Sequence, residues 1–82
     1  MIANNAPVTM FRVGRRGRSG QWRPATKHRK YDDAEVVARG LVLGGEASAT
    51  RIWKVGQGAS QLVARVGADR RDGAIVRRIE SI

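Results

Sequence analysis

Apolar and polar positions along the chain fall into short patterned stretches broken by glycine. Residues 8–13 (VTMFRV) are β-branched or bulky and predict a strand, which stops where Gly14, Gly17 and Gly20 supply a turn. Residues 21–26 (QWRPAT) predict a returning strand. Pro24 has no N–H to give to a ladder, so this strand is expected to lie at an edge or to end there. Residues 27–30 (KHRK) have no apolar face and predict an exposed extended segment leading to the next element. Residues 1–7 carry no period and end in Pro7, which predicts a flexible tail before a single domain spanning 8–82.

At residues 31–43 the period changes from two to helical. Asp32 is a good N-cap, Glu35 stands three residues on as in a capping box, and Tyr31 and Val36 occupy the positions of a hydrophobic staple. Ala34, Val37, Ala38 and Leu41 recur at helical spacing and are expected to form the buried stripe, with Glu35 and Arg39 paired on the outer face. Gly44 and Gly45 then end the helix. Gly40 weakens it and Val42 is expected near its surface.

Residues 50–55 (TRIWKV) predict a third strand. Residues 61–66 (QLVARV) predict a fourth, with Leu62, Ala64 and Val66 on one side, and Asp72-Gly73 signals a hairpin turn before a fifth strand at 74–80. Ile75, Arg78, Ile79 and Ile82 also fit helical spacing, so a short helix is the alternative for this last segment; its Ile and Val content favours the strand. The expected fold is therefore α+β, in the order β-β-α-β-β-β, an antiparallel sheet with one helix packed on one face. Phe11, Trp22, Val37, Leu41 and Trp53 are expected to supply much of a thin core.

Composition narrows the chemistry. The 82 residues hold no Cys, which removes disulfides, thiolate metal sites and thiol nucleophiles. No apolar run approaches the roughly 20 residues of a membrane span, and no signal-like leader is apparent, so a soluble cytoplasmic protein is expected. His28 is the only histidine and lies in a basic run with no carboxylate adjacent to orient it as a base. No phosphate-loop, nucleophile-elbow or zinc-protease pattern occurs, so neither catalysis nor a metal or other cofactor is expected.

Charge supplies the positive signal. Sixteen Lys and Arg face seven Asp and Glu, for a net +9. Eight of these cations (Arg12, Arg15, Arg16, Arg18, Arg23, Lys27, Arg29 and Lys30) precede Asp32, the first acid. From Asp32 onward, eight cations and seven acids nearly cancel. An acid-free stretch of that kind suits a polyanion, and nucleic acid phosphate is the commonest. Arg15, Arg16 and Arg18 would form a basic hairpin tip. The Gly14-Arg15-Arg16-Gly17 spacing matches a GXXG backbone clamp, but that clamp joins helices and here the run lies between strands. Arg23, Lys27 and Arg29 would share one face if the segment alternates regularly. Arg70, Arg71, Arg77 and Arg78 have acids nearby and read as solvated surface. The expected function is low-specificity nucleic acid binding through these eight N-terminal cations. The alternative is a protein-interaction or accessory subunit, a homodimer being one form of it, that pairs an exposed strand or a basic face with a partner.

Overall fold

A computed structural model describes residues 9–56 and 58–79, which form one small α+β domain. The expected tail at 1–7, the start of the first strand at Val8 and the end of the last at Glu80 lie outside the described residues. The elements are β1 (Met10–Arg16), β2 (Trp22–His28), α1 (Tyr31–Leu43), β3 (Ala49–Gly56), β4 (Ala59–Asp69) and β5 (Gly73–Arg78). They form a five-stranded antiparallel sheet in the order β2-β1-β3-β4-β5. The expected fold class and element order hold, and the last segment is the strand. Pro24 lies in an edge strand, where its missing N–H breaks no inner ladder.

The first hairpin is longer than its glycines suggest. β1 continues through Gly14 and Arg15 to Arg16, and β2 runs on through Lys27 to His28, leaving residues 17–21 as the connection. Gly20 takes φ 81° and closes it. Gly14 serves as a strand residue with no side chain rather than as a turn.

The helix packs on one face of the sheet. Ala34 and Ala38 are fully buried and Val42 nearly so, a stripe at i, i+4 and i+8. Val42 therefore faces the core rather than the surface, while Val37 and Leu41 are half-buried. Opposite them lie Val13, Ile52, Thr50, Ala64, Val66 and Ala74. The Thr50 hydroxyl donates to the Ala38 carbonyl at 3.0 Å, so this fully buried polar residue is satisfied. Small residues on the helix let it approach the sheet closely. The largest fully buried side chains are only Ile52, Val13, Val66 and Thr50.

The helix start departs from expectation. It begins at Tyr31, with Lys30 as an N-cap in extended conformation and no side-chain cap. Asp32 and Asp33 fall in the first turn, where their charge complements the helix dipole. Tyr31 is drawn in because its ring meets Phe11 edge-on at 5.8 Å, and Val36 is left 71% exposed, so no staple forms. Glu35 neither caps nor pairs with Arg39; both its oxygens accept from Arg78 Nη2 on β5, at 3.1 and 2.9 Å. The helix end is as expected. Gly45 takes φ 76°, its amide donates to Val42 O at 3.2 Å, and the Glu46 amide donates to Leu41 O at 3.0 Å, the pairing of a Schellman motif.

Candidate nucleic-acid interface

Two irregularities in the ladders decide which side chains share a face. Between β1 and β2 the register passes from Val13↔Thr26 to Gly14↔Pro24, so Ala25 is extra. Between β3 and β4 it passes from Ile52↔Ala64 to Trp53↔Leu62, so Val63 is extra. Each extra residue reverses the alternation beyond it. Leu62 consequently faces away from Ala64 and Val66, contrary to the regular alternation expected of this strand, and Val63 packs against the core instead.

Among the described residues no element packs on the face opposite the helix, and the registers lay out three rows there. Trp22, Arg16, Ala49, Gly67 and Ile75 form one. Pro24, Gly14, Arg51, Arg65 and Arg77 form the next, and Lys27, Arg12, Trp53 and Leu62 the third. Three arginines thus stand directly opposite one another on β3, β4 and β5. Like charges in cross-strand pairs destabilise a sheet, so this ladder costs stability in the free protein.

The compensating acids are elsewhere. Asp32, Asp33 and Glu35 belong to the helix and Glu46 to the loop after it. Asp69 has the parity of the open face but lies at the β4–β5 turn, where its Oδ1 accepts the Arg71 amide at 3.3 Å. The one ion pair among the described residues, Glu35–Arg78, is on the helix side.

Both tryptophans lie on this open face, and neither is the core residue expected. Trp22 is 38% exposed and Trp53 is half-buried. The Arg51 guanidinium sits 4.0 Å from the Trp22 ring centroid, a cation–π contact across the space that Gly14 leaves empty. Two shallow hollows flank this pair. One, of about 350 Å³, is lined by Arg16, Trp22, Arg51, Arg65, Ile75 and Arg77 over a floor of Ala49 and Gly67. The other, of about 250 Å³, is lined by Arg12, Gly14, Trp22, Pro24, Arg51 and Trp53. No carboxylate lines either. A Cβ on Gly67 would meet nothing within 4 Å, and neither Gly14 nor Gly67 has a positive φ. These glycines are not required by the backbone; they keep the floor low.

The eight sequence-predicted residues divide. Arg12, Arg16 and Lys27 are brought together on the open face. Arg15 and Arg23 pair with each other on the helix side of the sheet, and Arg23 borders the smaller hollow, its carbonyl oxygen 3.7 Å from where a Gly14 Cβ would stand. Arg18 is in the hairpin connection, and Arg29 and Lys30 form the bend before the helix. The stripe expected of Arg23, Lys27 and Arg29 does not form, because the extra Ala25 puts Arg23 and Lys27 on opposite faces and the strand ends before Arg29.

From the sequence, Arg51 and Arg65 are passed over and Arg77 is read as solvated surface. Their signal is the alternation Arg51-Ile52-Trp53 in β3, Ala64-Arg65-Val66 in β4 and Val76-Arg77 in β5, each strand placing its cation opposite its buried side. His28 Nε2 lies 2.8 Å from Thr26 Oγ1. Among the described residues no group of His, Asp and Glu is arranged to hold a metal ion, and no helix is long and apolar enough to cross a membrane. Comparison with protein family models, with curated proteins and with solved structures gives no match.

Proposed function

We propose that this protein binds nucleic acid through the helix-free face of its sheet, gripping the phosphate backbone with little sequence preference. The observation that carries the reading is the Arg51–Arg65–Arg77 ladder, flanked by Arg12, Arg16 and Lys27 and lined by no carboxylate. Arginine suits the task because its planar donor fork meets phosphate oxygens in pairs. A polyanion would also remove the repulsion within the ladder, so the cost borne by the free protein favours the complex. Phosphate contacts carry no sequence information by themselves, hence the low specificity.

Titration of the protein with a short oligonucleotide at about 50 mM salt should show binding whose log–log salt slope is roughly −3 to −5, for four or five phosphates neutralised. The double variant Arg12→Ser/Arg65→Ser should lose about tenfold or more in affinity, whereas Arg15→Ser/Arg18→Ser, away from the open face, should lose less. No binding at that salt would sink the reading. Loss confined to the second variant would return the site to the hairpin.

A second reading, a homodimer or accessory subunit joined by strand pairing, is favoured by the outer edge of β5, which has no neighbour among the described residues and no proline. Arg77 and Arg78 on that edge oppose it. Light scattering that shows a concentration-dependent mass without nucleic acid would support this reading.

A further inference from the structure

We infer that the ligand of the open face is single-stranded nucleic acid, whose unpaired bases stack on Trp22 and Trp53 while Arg51 between them, with Arg65 and Arg77 continuing its row on β4 and β5, holds the phosphates. This rests on the reading above and narrows its substrate class. Three observations lead to it.

The first is the location of the aromatic surface. The core is built from Ala, Val and Ile and contains no fully buried aromatic ring, yet both tryptophans are on the opposite face, one of them 38% exposed. A domain selected for stability alone would bury such rings, since they carry the largest apolar area of any side chain. The second is how the rings are set. Trp53 lies in the row of Arg12 and Lys27, and Trp22 in the row of Arg16, with Arg51 and Gly14 in the row between. Arg51 already lies over one face of Trp22 at 4.0 Å, so its guanidinium is held flat against the indole, leaving a base the other face of the ring or the outer face of the guanidinium. The third is the low floor. Gly14, Gly67 and Ala49 leave the two hollows beside this pair, lined by flat or cationic groups.

Phosphates alone do not account for this arrangement. A duplex presents its phosphates to the ladder but keeps its base faces stacked on one another, so both indoles would stay uncovered. A single strand offers both groups along one chain, and stacking tolerates any base because every base has a π face. An acidic protein would satisfy the arginines but has no general use for the rings.

The test uses the full chain and intrinsic fluorescence, because Trp22 and Trp53 are its only tryptophans and both report from this face. The probes are oligo-dT and oligo-U of about ten nucleotides, an abasic strand and a duplex of the same length, and polyglutamate. Oligo-dT and oligo-U are expected to quench the emission. The abasic strand should bind roughly 10- to 100-fold more weakly, as expected for the loss of one or two stacked bases, and duplex and polyglutamate should bind more weakly without quenching. Trp22→Leu, with folding checked by its melting curve, should lower oligo-dT affinity about tenfold and leave abasic binding unchanged, while Trp22→Phe retains most of it. If the abasic strand or the duplex binds as tightly as oligo-dT and emission does not change, stacking is refuted while backbone binding stands. If polyglutamate binds as tightly, single-strand recognition is refuted. If no nucleic acid binds, both readings fall together.

Discussion

At Tyr31 the physical chemistry of one residue can be followed to a measurement. Its ring packs on Phe11, and its buried hydroxyl makes no hydrogen bond among the described residues although the Glu35–Arg78 pair is beside it. Burial pushes the phenol above its ordinary pKa, with the Glu35 carboxylate adding to the rise and the Arg78 guanidinium opposing it. The unfolded chain releases this proton near pH 10 and the folded chain holds it to higher pH. Above about pH 10 the folded state therefore binds more protons than the unfolded one, and stability falls as pH rises; below that, Tyr31 contributes no pH dependence. Tyr31→Phe should remove this alkaline decline in urea unfolding measured against pH. At neutral pH it should cost little or add slightly, because an unsatisfied hydroxyl leaves the interior. The same residue shows the limit of local rules. Asp32 and Glu35 satisfy a capping pattern on paper, but ring packing on β1 and an arginine on β5 outweigh it, and neither neighbour is close in sequence.

Among the elements, the helix and the sheet make opposite uses of small residues. On the helix, Ala34 and Ala38 are fully buried and set its distance from Val13 and Ile52. Ala38→Leu should overpack this interface and cost about 1–3 kcal/mol in thermal or denaturant unfolding. Its control is Gly40→Ala on the exposed side, where an added Cβ meets nothing within 4 Å, and which should stabilise by about 0.5–1 kcal/mol. If both changes destabilise equally, the helix is not seated as described. On the sheet, Gly14 and Gly67 face outward, and their lack of side chains shapes the hollows rather than a close approach. Element order was legible in the sequence because each signal for it is local: a run of β-branched residues, a change of period, a pair of glycines. The faces of β2 and β4 were not, because Ala25 and Val63 leave their ladders unpaired only through the registers their strands take with β1 and β3.

In the molecule as a whole, the open face is basic with only Asp69 at its rim among the described residues, whereas the helix side mixes Asp32, Asp33, Glu35 and Glu46 with Arg15, Arg23, Arg39 and Arg78. Salt should therefore act in two directions. Added salt screens the ladder and should raise the stability of the free protein, while weakening its complex with nucleic acid by competing for the phosphates. Arg65→Gln, at the centre of the ladder, should mimic both effects. It should stabilise the free protein by a few tenths of a kcal/mol and make the binding slope less negative by about 0.7–0.9. A loss of stability in this variant at low salt would show that the ladder is not under repulsion.

By itself the sequence determined the α+β class, the order of elements, the helix end at Gly44 and Gly45, and an excess of cations; the Pro24 strand could be an edge or end there, and the sheet order made it an edge. These follow from backbone preferences and from charge, which act within a few residues or over the whole chain. Only the tertiary structure decided where the cations meet. Arg51, Arg65 and Arg77 are far apart in the chain and become one row because β3, β4 and β5 are neighbours in a particular register. Arg12, Arg16 and Lys27 join them on the same face, whereas Arg15, Arg18, Arg29 and Lys30, equally basic in the sequence, do not. The acid-free run at the N-terminus raised the expectation of a polyanion. The basic face was built by pairing distant strands; Trp53 and Arg51 went to it because alternation from Ile52 and Thr50, both held against the helix, left them no other side, and Trp22 because it pairs with Arg16.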